Sequence, residues 1–185
     1  DRFVEKGYKI IGVDAPGHGD SSGKKSNVLL FGKALLKLNQ IYGPPYAYIG
    51  HSLGGAIGFL ALKNGIKFQK MVSISAPSIA RAVIEESLKK LGATDITVRN
   101  MEKIFKERYH EPFENYTALK WVRFAPDIPI LIIHDEGDKD APFHHGEALS
   151  RELPNAEFYT TQGLGHMQIL RDKKTVDKVV DFISE

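Results

Sequence analysis

The sequence contains no cysteine. Disulfides, thiolate nucleophiles and thiolate metal sites are thereby excluded. The composition is compatible with a reducing cytosol, and we expect a cytoplasmic protein. No apolar run approaches the roughly 18 residues that a membrane-crossing helix needs. The first residues, 1–7, hold no apolar stretch of the kind that opens a signal peptide. Charge of one sign is also missing. With 25 basic and 23 acidic side chains the net charge is only +2, and no lysine–arginine run is present to track a phosphate backbone, so nucleic acid is not an expected partner. There is no internal repeat and no low-complexity segment. No His-Glu-x-x-His spacing occurs, so neither a metal nor a cofactor is expected.

What is present is an ordinary soluble composition, 42% hydrophobic and 26% charged. A length of 185 residues suits one core domain, or a core with a small lid. The chain is organised around Gly50-His51-Ser52-Leu53-Gly54. Residues 46–49 before it have strand character, and residues 56–63 after it read as a buried helix. The pattern G-x-S-x-G is meaningful in that strand-to-helix context. A sharp turn there forces the serine into a strained backbone conformation, and flanking glycines remove side chains that would clash. The serine hydroxyl then stands clear of the sheet. The Leu53 N–H, in the first turn of the helix, faces any anion formed there. The competing reading is a glycine-rich turn with an incidental serine.

Along the chain, residues 1–6 read as the end of a helix stopped by Gly7, and residues 8–13 as a strand. Residues 14–23 form a turn-rich loop. Residues 28–42 make a helix ended by Gly43-Pro44-Pro45. The next strand after the elbow helix is expected at 71–75. Residues 78–124 are more charged, with Ile79, Val83, Leu88, Leu91, Met101, Ile104, Phe105, Tyr116, Leu119, Trp121 and Phe124 at apolar positions, and read as two or three inserted amphipathic helices. The continuous apolar run 129–134 is the mark of a strand buried on both faces. A loop at 135–142, a helix at 144–153, a strand at 156–161 and a closing helix at 173–184 follow. Such alternation predicts an α/β fold with a mainly parallel sheet and flanking helices. The expected organisation is a core from 1–77 and 125–185, with 78–124 as a helical lid. Sites in such sheets form at the carboxyl ends of the strands.

Three chemically complementary residues fall just beyond strands. Ser52 is a poor nucleophile unless an imidazole takes its proton. His166 can supply that imidazole, and a carboxylate from the 135–140 loop can fix the imidazole's tautomer. Serine, aspartate and histidine also occur in the order that the α/β-hydrolase arrangement requires.

The chain resembles the α/β-hydrolase family over its whole length. The elbow 50–54 carries the resemblance. So do residues 12–22 (GVDAPGHGDSS), similar to the family's aspartate-x-x-glycine-x-glycine-x-serine loop, residues 132–142 (IIHDEGDKDAP), similar to its acid loop, and Gly165-His166, similar to its histidine loop. In the family the catalytic aspartate lies four residues before a proline. The resemblance therefore selects Asp138 over Asp135 and Asp140, which could instead be surface acids or helix caps. His18 is read as a packing or turn residue, His51 as support for the oxyanion region or packing, and His144 and His145 as exposed. A metal site built from these histidines lacks supporting spacing.

The resemblance implies a serine hydrolase acting on a small-molecule carboxylic ester. Ser52 would be the nucleophile, His166 the base and then acid, Asp138 the orienting group and the Leu53 N–H one oxyanion donor. Thioesterases, carbon–carbon hydrolases, perhydrolases and acyltransferases share these motifs, and a non-catalytic binding protein is the other class. The apolar faces of the insert are expected to pack on the core rather than bind lipid. Oligomeric state is left open. One departure matters. Family members place two or three strands ahead of the point where this sequence starts, one of them between the 8–13 and 46–49 strands, and a loop there supplies the second oxyanion donor. Either the sequence is a fragment, the expectation favoured here, or the sheet closes in another order. Loss of one oxyanion donor costs roughly 2.7–4 kcal/mol in the transition state, so weak activity is expected.

Overall fold

The computed structural model describes residues 2–110, 112–125 and 128–185, without the side chains of residues 80, 83, 86, 87 and 113. The expected apolar position Val83 therefore lies outside the described side chains. Among the described residues, four strands form one wholly parallel sheet in the order β1 (Ala47–His51), β2 (Lys70–Ile74), β3 (Ile130–Asp135), β4 (Glu157–Thr161). The helices are α1 (Arg2–Glu5), α2 (Val28–Tyr42), α3 (Leu53–Lys63), α4 (Ala80–Lys90), α5 (Asp95–Tyr109), α6 (Ala118–Trp121), α7 (His144–Glu152), α8 (Gly165–Gln168) and α9 (Lys173–Ser184). Single 3-10 turns flank α6. No helix among the described residues is long and apolar enough to cross a membrane.

Alternation along the strands sorts the core into two layers. Met71, Ile130 and Ile132 point to one face, where they meet Ala56, Phe59 and Leu60 of α3, Trp121 of α6 and Leu149 of α7, with Leu35 and Leu36 of α2 packed outside. Val72, Ile74, Leu131 and Ile133 point to the other face, against Ile169 and against Val179 and Ile183 of α9. Every residue of β3 is buried, as its unbroken apolar run requires. Helix α3 is buried from Gly55 through Ala61 because it lies between the sheet and helices α2 and α6. Two helix starts are written locally. The Asn27 side chain accepts from Leu30 N–H ahead of α2, and Asp172 accepts from Thr175 N–H ahead of α9.

Three expectations need correction. Residues 8–13 are not a strand. They run alongside the sheet beyond β1, and none of the N–H groups of residues 9–13 makes a main-chain hydrogen bond among the described residues. Ile10, Ile11 and Val13 are exposed. A groove of about 360 Å³ separates this segment from β1, with Ile11, Gly12 and Val13 on one wall and Ala47, Ile49 and Gly50 on the other. The apolar alternation is there, but among the described residues no neighbouring strand carries the ladder across, and a strand exists only as a pair. Second, the insert is less closely packed than its apolar positions suggest. Leu91 is 83% exposed and Ile104 is 61% exposed. Ser78, Tyr116, Ala118, Trp121 and Val122, at its two ends, supply most of what it buries. Third, His145 is buried, while His144 is exposed. Position 145 lies one turn before Leu149 on the inward stripe of α7, and Gly146 beside it is buried as well.

Candidate active site

The elbow is built by steric exclusion. Ser52 has φ 53° and ψ −127°, a combination rare for a residue with a side chain. Its N–H donates to Ile74 O of β2 (2.8 Å) and its carbonyl accepts from Ala56 N–H (3.3 Å), so the strain is held at both ends. A Cβ on Gly50 would come within 2.4 Å of Gly54 O, so residue 50 must be glycine for the helix to fold back over the strand. Gly54 corrects a simple reading of the motif. A Cβ there would meet nothing within 4 Å. The close approaches fall instead at Gly55, where a Cβ would lie 2.8 Å from that of Ala76, and at Gly58, where it would meet Met71 at 2.4 Å. Those two glycines let α3 press on β2.

The acid loop leaves the carboxyl end of β3. Asp138 is buried, and its Oδ1 accepts from both Asp140 N–H and Ala141 N–H at 2.9 Å. Its Oδ2 lies 2.8 Å from His166 Nδ1, on α8 beyond β4. Burial alone would raise the Asp138 pKa. The hydrogen bonds from His166, Ala141 and Asp140 outweigh it and hold the carboxyl down at about 2. The same bond to Asp138 raises His166 above the usual imidazole value, against the opposing effect of burial. With Nδ1–H donating to the carboxylate, His166 Nε2 is the atom left to accept a proton. Asp140 makes no hydrogen bond to His166, although its charge adds to the raised pKa.

Asp135 has a different task. Its Oδ1 accepts from Gly137 N–H at 2.9 Å, and its Oδ2 from the Thr161 hydroxyl at 2.8 Å and Leu164 N–H at 3.0 Å. Its pKa is lowered because these bonds outweigh the effect of burial. Asp135 thus ties the acid loop to the turn that presents His166. His51 is a second positioning group. Its Nε2–H donates to the His166 carbonyl (2.8 Å), and the two rings lie 4.6 Å apart, centre to centre. Burial, then the neighbouring His166, keeps His51 below the usual imidazole value, despite the raising effect of that carbonyl bond. Behind Asp138, the buried His134 donates through Nε2–H to Ala141 O at 2.7 Å and stands 3.7 Å from Asp138 Oδ2. His18 is exposed in its loop, where its ring Nδ1 meets Pro16 O and its N–H and carbonyl close turns with Ala15 and Ser21.

The structure brings Asp138 and His166 together directly and links the elbow to His166 through His51. It does not join Ser52 to His166. The Ser52 hydroxyl makes no hydrogen bond among the described residues. Leu53 N–H opens α3 next to Ser52, where an anion would meet the positive end of the helix. Among the described residues, no three histidine, aspartate or glutamate side chains converge as metal ligands. The roles of Asp135 and His51 lay beyond sequence reasoning because their partners, Thr161, Leu164 and the His166 carbonyl, come from distant loops. The signal available was position alone, one residue before Ser52 and three before Asp138.

Residues 1–91 match the family model described as the alpha/beta hydrolase fold, and residues 108–183 match one described as TAP-like protein. The chain belongs to the α/β-hydrolase fold. Among solved structures, the esterase Pf2001 of Pyrococcus furiosus superposes with a TM-score of 0.72 at 18% identity, over 99% of this chain and 73% of that one. BpoC of Mycobacterium tuberculosis, named for a non-heme bromoperoxidase, gives 0.71 at 16% identity over 99% and 84%. A thermophilic esterase gives 0.62 at 22% identity over 92% and 79%. No curated protein sequence matches this one significantly. The likeness to α/β-hydrolase structures therefore rests on the path of the backbone.

Proposed function

We propose that this α/β-hydrolase-fold chain is a serine hydrolase that cleaves carboxylic esters through an acyl-enzyme on Ser52. The observation that supports the reading is the Asp138–His166 hydrogen bond, tied through His51 to an elbow whose Ser52 is held at positive φ. In this mechanism Ser52 Oγ attacks the ester carbonyl carbon and its proton passes to His166 Nε2. Asp138 keeps Nδ1 protonated and stabilises the imidazolium. Leu53 N–H faces the tetrahedral oxyanion. The carbon–oxygen bond breaks, and the alcohol leaves with the proton from His166. Water, deprotonated by His166, then attacks the acyl carbon and releases the acid and Ser52. The Ser52–His166 hydrogen bond closes when substrate is bound, since catalytic bonds are often long in the free enzyme. The insert 78–124 serves as the lid of the acyl pocket.

A second reading, a non-catalytic binding protein of the same fold, draws on one observation. Leu53 N–H is the single oxyanion donor assigned, and among the described residues the Ser52 hydroxyl makes no hydrogen bond to His166. Thioesterase and acyltransferase chemistry use the same residues and differ in the leaving group or acceptor. Hydrolysis of p-nitrophenyl acetate tests the proposal. Turnover that falls by about 10⁴-fold or more in Ser52→Ala supports it, and equal release by both proteins excludes it.

A further inference from the structure

A second serine–histidine pair lies at the root of the insert. Ser78 lies four residues beyond the end of β2 and is fully buried, and His145 on α7 is 1% exposed. His145 Nδ1 accepts from the Ser78 hydroxyl at 2.8 Å and faces Ser78 N–H at 3.3 Å. The Ser78 carbonyl in turn accepts from the Thr117 hydroxyl and from Leu119 N–H at 3.2 Å. Every polar group of Ser78 is thus committed. One residue joins the first position of the insert to its returning end and to the helix that follows the acid loop. A nucleophilic role is excluded by geometry, because the hydroxyl is sealed from any substrate.

Among the described side chains, the rest of the insert is held more lightly. Helix α5 buries Val98 and packs the half-buried Phe105 on the core beside Tyr116, the two rings 4.8 Å apart, while Leu91, Ile96 and Ile104 face solvent. The far end of α4 reaches the acid loop through Lys90 Nζ, which donates to Lys139 O at 3.0 Å, one residue from Asp138. The base of α5 meets the core through Tyr109, whose hydroxyl accepts from the Asn27 side chain at 2.8 Å. Beyond Val98 and Phe105 the described side chains of α5 add little apolar burial, so the placement of these helices beside the acid loop draws on the polar joint at their root.

We propose that the Ser78–His145 hydrogen bond is the pin that sets the insert over the site, which makes His145 a positioning residue for acyl-chain selectivity. The selectivity clause rests on the ester-hydrolase reading above; the pin itself does not. Limited trypsin digestion with mass mapping tests the pin, since the insert carries Lys89, Lys90, Arg99, Lys103, Lys106 and Arg108. The proteins are wild type, Ser78→Ala, His145→Leu and His145→Asn, in which the asparagine oxygen replaces Nδ1 as acceptor. Loss of one buried bond raises the open fraction, and with it the rate of cutting in the insert, by about fivefold. Ser78→Ala and His145→Leu are expected to show that rise, with His145→Asn near wild type.

The second readout is kcat/KM for p-nitrophenyl octanoate relative to acetate, expected to shift about fivefold in the same two variants and to be restored in His145→Asn. Should His145→Leu fail to fold, Ser78→Ala, which removes one oxygen, carries the test. Wild-type cutting rates in Ser78→Ala, or equal rates in His145→Asn and His145→Leu, overturn the pin. Faster cutting with an unchanged ester ratio overturns the selectivity role. Faster cutting with no ester turnover in any protein keeps the pin and counts against the ester-hydrolase reading instead.

Discussion

Replacing Asp138 by asparagine separates the chemistry of this site from its architecture. The side-chain oxygen of the asparagine can still accept from Asp140 and Ala141 N–H, the two bonds that shape the loop. The amide nitrogen then takes the place of Oδ2 and becomes a donor facing His166 Nδ1. Nδ1 must accept, so the proton moves to Nε2, the atom that should receive the proton of Ser52. On the example of the serine proteases this tautomer switch costs about 10⁴ in kcat, or roughly 5.4 kcal/mol of activation free energy. The fold should lose far less, because the loop bonds survive and the buried charge is gone.

The pH profile carries a second signature of Asp138→Asn. Asp138 raises the pKa of His166, and the base must be neutral to act. The acid limb of kcat/KM in the wild type therefore lies above the ordinary histidine pKa of about 6.5. In the variant the residual activity should show this limb displaced to lower pH. Ester turnover from about pH 4 to 9, with thermal melting alongside, measures both. Near-wild-type activity in Asp138→Asn, or an acid limb that stays in place, would refute the reasoning and point to another carboxylate.

Other outcomes follow from the same geometry. Gly50→Ala drives a Cβ against the main chain at Gly54, and should lower the melting temperature by roughly 2–12 °C, whereas Gly54→Ala, in open space within α3, should leave it unchanged or raised. His51→Phe keeps a ring beside His166 but removes the donor to its carbonyl, and kcat/KM should fall by about 5- to 100-fold with KM little altered. His145 titrates at about 4 in the fold, mainly through burial, with His144 and His134 pushing it down and Asp138 pulling it up. Its folded pKa lies below its unfolded value, so the stability it contributes is complete above about pH 6.5 and is lost as pH falls toward about 4. The melting temperature of His145→Asn should accordingly decline less steeply across that window than that of the wild type.

The parts of this fold that were legible in the sequence are those with local causes. Strand β3 announces itself by an unbroken apolar run, and the elbow by glycines around one serine between a strand and a buried helix. The resemblance to the family's acid loop, through the spacing to Pro142, picks the carboxylate that meets His166 in space. What could not be read depends on partners elsewhere. Residues 8–13 have strand-like alternation, but only the sheet decides whether a neighbour exists to pair with them. His145 looks like one of two adjacent surface histidines until Ser78, 67 positions earlier, closes over it. Asp135 resembles a loop acid until Thr161 and Leu164 bond to it. The insert shows the reverse error, since Leu91 and Ile104 fit an amphipathic pattern and yet face solvent.

The central claim is that Ser52 is an activated nucleophile served by His166 and Asp138. The most direct test is intact mass after incubation with a fluorophosphonate, on the wild type and on Ser52→Ala. A single adduct on the wild type and none on Ser52→Ala is the predicted result. No adduct on the wild type, or an adduct that persists in Ser52→Ala, would contradict the claim.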